Sequence, residues 1–434
     1  MNISFLEDDT NLLERLRAFI PAAGADPKIR SSVSKILNSV KEGGNRAVLE
    51  KTLLFDGVSQ SADEMLVKQD EMEKSLSVLS SSERHALEDA ISNVTNFHQQ
   101  SYPQNWEMEN LHGGYVGEKY YPINRVGIYV PGGQVPLVST VVMSVTLAKV
   151  AGVKEIVVAT PPSGDGTVSP HLLAALQLSG VEEVYKIGGA QAVGALAYGT
   201  ETISPVDKIF GPGNAFVNEA KRQVFGEVGI DLLPGPSEIM VIADSTSSPE
   251  FVAAALLAQA EHGTGKEKIY FLFQEKELFP QVIEEINTQL KTLSHSSAIR
   301  DVLQAGFLAI LLPSRERIAE VANFIAPEHL ELQTPPDSCE YYLQNITTAG
   351  AFLVGHETPT SVGDFAAGPS HVLPTGRSAR FSSGLRLQDF LRRSSVIRYD
   401  TSSCKNASLT IDQFASMEKL DAHGHAHKIR TLST

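Results

Sequence analysis

Arg125-Val126-Gly127-Ile128-Tyr129-Val130, running into Pro131-Gly132-Gly133, decides the fold of this chain. An apolar, β-branched run closed by Pro and Gly reads as a buried strand with a turn at its end. The apolar stretch Ser139 to Val150 behind it has the length of a helix. The same phrase recurs. Glu155 to Thr160 precedes Pro161-Pro162 and a helix from about His171 to Leu178; Glu183 to Ile187 precedes Gly188-Gly189-Ala190-Gln191 and a helix through Ala197; Lys208 to Phe210 precedes Gly211-Pro212-Gly213-Asn214 and a helix through Val224. Repeated strand–turn–helix units predict a parallel, doubly wound sheet that binds ligands at the carboxyl ends of its strands, where these turns lie. None of the turns reads Gly-x-Gly-x-x-Gly, so a nicotinamide cofactor does not follow from the usual phosphate-binding turn.

A second series follows: Glu238 to Asp244, Lys268 to Phe273, Gly306 to Leu312 and Ala351 to Val354 read as buried strands with helices between them, a second incomplete Rossmann-like domain. Ahead of both, helical spacing of Ile29, Val33, Ile36, Leu37 and Val40, and later of Leu87, Ile91 and Val94, predicts helices that pack on something downstream. They are expected to join the second series in a discontinuous domain of residues 26–124 and 238–376, leaving 125–237 as a domain by itself. Residues 1–25 read as a short helical arm. Residues 377–405 are irregular and basic, through Arg380, Arg386, Arg392, Arg393 and Arg398, and 406–434 form a helical tail with too little apolar content to pack alone. The tail is expected to dock on another subunit.

A chain of 434 residues exceeds one hydrophobic core, so more than one domain is expected. A net charge of -15 opposes sequence-independent binding to nucleic acid or anionic lipid and favours a small-molecule ligand. The two cysteines, Cys339 and Cys404, are too far apart for a thiolate metal motif and suggest a reducing compartment. The first residues carry acids where a secretory signal needs bases, and no apolar run approaches a membrane span, so a cytoplasmic location is expected.

Four stretches hold candidate chemistry. In Ala326-Pro327-Glu328-His329-Leu330-Glu331 a helical pattern from Arg315 runs into Pro327, which predicts Glu328 and His329 at a helix end or a new helix start. Adjacent residues do not share a helix face, so the pair suits two jobs on one substrate, although a solvated surface pair is the plainer reading of the dipeptide alone. Gln259 and His262, at i and i+3 near the end of a helix, suit a metal; a His favoured by the helix dipole and capped by Gly263 is the plainer alternative. Asp364 and His371 lie in a Gly/Pro-rich loop that packing alone does not explain. His423, His425 and His427 crowd the tail beside Glu418, where histidines are ordinarily solvated.

These residues stand in motifs that together resemble the histidinol dehydrogenase family. The motifs are Arg-Val-Gly-Ile-Tyr-Val-Pro-Gly-Gly at 125–133, Ile-Gly-Gly-Ala-Gln-Ala at 187–192, Gly-Pro-Gly-Asn at 211–214, Gly-Pro-Ser-Glu at 235–238, Gln-Ala-Glu-His-Gly at 259–263, Ala-Pro-Glu-His-Leu-Glu at 326–331, the loop from Gly363 to Thr375, Ala-Arg-Phe-Ser-Ser-Gly-Leu at 379–385 and Glu-x-Leu-x-Ala-His at 418–423. The resemblance implies a zinc enzyme that oxidises L-histidinol to L-histidine with NAD in the last step of histidine biosynthesis. It implies one zinc per subunit on Gln259, His262, Asp364 and His423, NAD contacts at Tyr129, Gln191 and Asn214, and substrate contacts at Ser237, His371 and Glu418 alongside the metal ligands. Glu328 and His329 are the implied acid–base pair. It also implies a homodimer of two-domain α/β subunits in which 377–405 and the arm take part in dimerisation and the tail completes the partner's site.

Ala255, Pro234, Leu137 and Lys419 depart from the family pattern, and none is an implied ligand. A paralogue acting on another polar alcohol, such as a sulfonated diol, stays open, but the carboxylate of Glu418 suits the histidinol ammonium and would repel a sulfonate. A zinc hydrolase could use the same donors without a nicotinamide.

Overall fold

The computed structural model describes residues 3–20, 26–132 and 137–432; Gly133 of the first turn, the Pro21 to Gly24 end of the arm and the last two residues of the tail lie outside them. The expected α/β architecture is present. One sheet of five parallel strands runs in the order Glu183–Lys186, Glu155–Thr160, Arg125–Tyr129, Lys208–Phe210, Gly229–Ile230. The chain enters at the middle strand, winds outward to one side and then crosses to the other, so the strand order reverses between Arg125–Tyr129 and Lys208–Phe210. Loops that leave neighbouring strands for opposite faces open a crevice at such a point.

Parallel strands are buried on both faces and need helices on both. Helix Val138–Ala151 is buried almost all round because it lies between the sheet and helix Ser81–Gln100. Helix Pro27–Asp56 packs on helices Gly189–Tyr198 and Ala215–Val224, and its Val33, Leu37, Val40 and Val48 share a core with Val157, Ile187 and Leu196. The helices of 26–124 therefore cover the first sheet, which differs from the expected union of 26–124 with 238–376. Gly194 admits the contact, since a Cβ there would lie 3.2 Å from Leu37 Cδ2. The second sheet gives them no place, because its faces are covered by its own crossover helices and by helix Leu12–Phe19.

That second sheet has six parallel strands in the order Ser4–Glu7, Phe307–Leu311, Lys268–Phe273, Glu238–Ala243, His329–Gln333, Ala351–Val354. The arm, expected to be helical, supplies its edge strand, and Leu12 and Leu16 enter the core beside Ile242 and Ile310. The region expected to be irregular forms strand Leu391–Arg398, which joins Tyr115–Pro122 and Trp106–Glu109 in an antiparallel sheet. The tail folds as helices Thr401–Asn406, Ser408–Glu418 and Asp421–Leu432; the middle one buries no residue, and its Leu409, Phe414 and Met417 are exposed. No helix among the described residues is long and apolar enough to cross a membrane.

Helix Ser81–Gln100 buries His98, which is 2% exposed, and neither ring nitrogen has a hydrogen-bond partner. Burial pushes its pKa down to about 4, from an ordinary value of 6.5. The unfolded chain thus takes up the proton first, so the stability of this helix pairing is complete above about pH 6.5 and falls as the pH drops towards 4. Replacing His98 with Leu is expected to reduce the stability lost between pH 7 and pH 4, as read from urea midpoints, by roughly 2–3 kcal/mol. Parallel pH curves for the two proteins would count against this account.

Candidate active site

Tyr129 closes the middle strand of the first sheet, and Gly211 follows its neighbour across the switch point. Gly211 has φ +102°, and a Cβ there would lie 2.1 Å from the Tyr129 carbonyl oxygen, so the turn needs glycine. The turn is held from below. Asp231 accepts the Gly211 N–H at 2.8 Å, and the buried Lys221 ammonium donates to the Gly211 and Leu232 carbonyls at 2.8 Å each and to the Asp231 carboxylate. Asn214 then caps helix Ala215–Val224, accepting from the N–H groups of Phe216 and Val217 at 2.9 and 3.1 Å.

Tyr129, Gln191 and Asn214, the three implied NAD contacts, line one cleft of about 700 Å³. The Tyr129 hydroxyl accepts the Gly189 N–H at 3.1 Å. Gln191 is 1% exposed, and neither atom of its amide has a partner. A buried amide without partners marks a place for a polar ligand, so these residues fit a dinucleotide.

The implied acid–base pair lies at the other sheet. Helix Arg315–Ile325 ends at Ala326, which turns left-handed at φ 53°, and after Pro327 and Glu328 the chain enters strand His329–Gln333. The pair therefore follows a helix end as expected, but it opens a strand and no second helix. Both side chains are buried. The Glu238 N–H donates to Glu328 Oε2 at 2.7 Å, and the Glu238 carbonyl lies 3.2 Å from His329 Nδ1, which places that ring's proton on Nδ1 and turns Nε2 towards Asp364 Oδ1 at 3.5 Å. Burial raises the Glu328 carboxyl to about 7 against the pull of the His329 charge. For His329 burial favours the neutral ring, but the carboxylates of Glu328 and Asp364 outweigh it and raise the pKa to about 9.

His371 Nδ1 lies 3.1 Å from the Asp364 carbonyl, and His262 is close enough to Asp364 to help hold its carboxyl below the usual range despite burial. Helix Pro249–Ala260 brings Gln259 to this cluster: a helix returning from a parallel strand ends at the sheet's amino edge, where Glu238 and His329 begin their strands. Gln259 is buried with its amide nitrogen unpaired, and His262 sits on the turn just beyond, its Nδ1 3.2 Å from the Gln259 carbonyl. The second sheet thus uses its amino edge, where the first uses its carboxyl edge. Ser237 is half-buried beside Glu238. Glu418 and His423 stay apart, exposed along a groove of about 230 Å³ between the last two helices with Phe414 and Leu420. Among the described residues no three His, Cys, Asp or Glu side chains of this chain stand ready to hold a metal; the unpaired amide nitrogen of Gln259 and the donor chemistry of His262 and Asp364 would suit one.

Glu238 and Glu331 stand in the quoted motifs, but their supporting roles were not legible there. Glu331 accepts from Gln333 Nε2 at 2.6 Å and from Thr360 Oγ1 at 3.2 Å, which anchors the short helix Thr360–Phe365 that carries Asp364. The following loop ties the two domains: the Ser370 hydroxyl donates to the Met143 carbonyl at 3.1 Å, and the Gly376 N–H donates to Glu238 Oε1 at 3.1 Å. Acids inside otherwise apolar strands, at 238 and 331, were the available signal.

Two doubly wound parallel α/β domains, one with a polar-lined cleft at its switch point and one with a buried acid–base pair beside nitrogen and oxygen donors, define the architecture of a two-domain dehydrogenase. The sequence profile of the histidinol dehydrogenase family matches residues 22–431. A histidinol dehydrogenase from Clostridium acetobutylicum is 42% identical over 403 residues, 93% of this chain and 92% of that protein. One from Methanothermobacter thermautotrophicus is 39% identical over 398 residues, 92% of each. The crystal structure of histidinol dehydrogenase from Elizabethkingia anophelis superposes with a TM-score of 0.93 at 34% identity, covering 99% of this chain and 98% of that one. The chain belongs to the histidinol dehydrogenase family, as its motifs implied, and is an oxidoreductase of the dehydrogenase class.

Lys221 and Asp231 form a fully buried ion pair, and removing one partner leaves a buried charge uncompensated. Lys221→Met is expected to destabilise the protein by about 3–5 kcal/mol, and Lys221→Met with Asp231→Leu to recover part of that. Equal melting temperatures for wild type and the single variant would refute this role.

Proposed function

We propose that this chain oxidises L-histidinol to L-histidine through L-histidinaldehyde with two NAD, as the last step of histidine biosynthesis. The observation that carries the reading is the buried Glu328–His329 pair, fixed on the backbone of Glu238 and facing Asp364 at 3.5 Å. Each half-reaction needs a proton removed as hydride leaves, and His329 Nε2 is the atom free to take it, from the alcohol first and from the aldehyde hydrate later. Glu328 activates the water that adds to the aldehyde; a carboxyl held near 7 exchanges protons readily at neutral pH. As a metal donor Asp364 would support the charged imidazole less, which would favour the neutral form of His329 that a base needs.

Gln259, His262 and Asp364, with His423 of the partner subunit, would hold a zinc ion, which supplies fixed coordination positions for the amino and imidazole nitrogens of the substrate. Tyr129, Gln191 and Asn214 would hold NAD, the hydride acceptor. Ser237 and His371 border the substrate, and Glu418 of the partner subunit faces its ammonium, which disfavours a sulfonated diol. Domain roles follow: the first sheet binds the dinucleotide, and the second carries the metal and acid–base groups.

The shared site rests on the tail. Leu409, Phe414 and Met417 are exposed on it beside the two implied site residues, Glu418 and His423, which supports a two-fold dimer in which each tail completes the other's site. Glu328→Gln is expected to slow turnover by roughly 10²–10⁴-fold while metal analysis finds zinc still bound; wild-type turnover would sink the assignment. Co-expressing Glu328→Gln with His423→Ala tests the sharing. Random pairing makes about half the dimers mixed, each with one intact site, so activity is expected to recover to about a quarter of wild type. No recovery would mean that each site belongs to one chain.

A further inference from the structure

Helix Pro27–Asp56 ends in an acid. A carboxylate in the last turn meets the negative end of the helix dipole, which is unfavourable unless something compensates. Among the described residues no donor reaches Asp56 Oδ2, which is buried, and burial raises the carboxyl's pKa. Asp56 lines the cleft of about 700 Å³ with Tyr129, Gln191 and Asn214. Thr160 Oγ1 and both amide atoms of Gln191, in the same wall, are also unpaired. Unpaired acceptors and donors collected around one cleft call for a ligand rich in hydroxyls and amides.

The charge of the cleft narrows the choice. Asp56 is the one charged side chain among the described residues that line it; no Lys or Arg does. In common dinucleotide folds an acid near the end of the second strand accepts the ribose hydroxyls. Here that strand, Glu155–Thr160, runs into Pro161-Pro162, and the first acid beyond it, Asp165, is exposed with its carboxylate tied to the N–H and hydroxyl of Thr167 at 3.0 and 2.7 Å. The acid is missing from its customary strand and present on a helix that packs against the same domain.

Building on the NAD-dependent reading above, we propose that Asp56 determines dinucleotide specificity, its carboxylate accepting the 2′- and 3′-hydroxyls of the adenosine ribose. A 2′-phosphate in that position would bring further negative charge beside an anion with no cation to offset it. Selection against the phosphorylated cofactor is thus delivered by the N-terminal helices, which explains chemically why they must cover the first sheet.

The test is calorimetric titration of purified wild type, Asp56→Asn and Asp56→Ser with NAD and with NADP, together with kcat/KM for histidinol oxidation with each. Removing an acid from a helix C-terminus relieves a dipole clash, so both variants are expected to melt no lower than wild type. Wild type is expected to prefer NAD strongly, and both variants to lose about 10- to 100-fold of that preference, the worth of hydrogen bonds to a charged group, through weaker NAD and tighter NADP binding. An unchanged preference in binding and in kcat/KM would overturn the role of Asp56. Folded wild type that binds neither dinucleotide would overturn the NAD-dependent reading, and this assignment with it.

Discussion

Glu328 and His329, the proposed acid–base pair, both hang on one residue's backbone. Strands Glu238–Ala243 and His329–Gln333 pair in parallel with His329 beside Ile239, so the first peptide groups of one strand meet the first side chains of the other. The Glu238 N–H takes the Glu328 carboxylate and its carbonyl takes the His329 ring. Backbone groups at strand starts need partners, and catalytic side chains need fixed rotamers; here each satisfies the other. The precision of the site then follows from sheet register, which a buried six-stranded sheet specifies strongly.

The same cluster is short of positive charge. The carboxyls of Glu328 and Asp364 face His329; burial lifts Glu328 to about 7 against the pull of His329, and burial with repulsion from Glu328 lifts Glu238 behind them to about 8. Two buried carboxyl groups beside one imidazole are stable only with protons or cations shared among them. Such a cluster is compatible with the cationic substrate proposed above.

Parallel strands were legible because burial on both faces makes them continuous apolar runs that Gly and Pro punctuate. His329–Gln333 escaped that reading since Glu331 and Gln333 break the run; Glu331 is buried because Thr360 and Gln333 donate to it, a fact that no local pattern carries. Helical periodicity in 26–98 revealed which faces are apolar but not against what they pack, so Leu37 was read as core without its partner Gly194. The implied site residues divide similarly: Tyr129, Gln191 and Asn214, on Gly-marked turns, line one cleft, whereas Glu418 and His423 lie exposed on the tail apart from the rest. Strand Leu391–Arg398 was hidden because most of its side chains are exposed and its stability comes from pairing with Tyr115–Pro122.

Local rules are broken at particular positions, and those positions adjoin ligand sites. Ala326 adopts a left-handed backbone that glycine would enter more easily, at a cost of about 1 kcal/mol. The proline after it disfavours right-handed helix at Ala326, so the helix must stop there, and Glu328 and His329 arrive at the strand's first residues. Asp56 opposes its own helix dipole beside the cleft. Lys221 and Asp231, by contrast, break the rule against buried charge yet satisfy each other, and their product is a rigid turn at Gly211. Lys221 and Asp231 thus shape a wall of the first domain, while the unpaired Asp56 Oδ2 and Gln191 amide line its cleft.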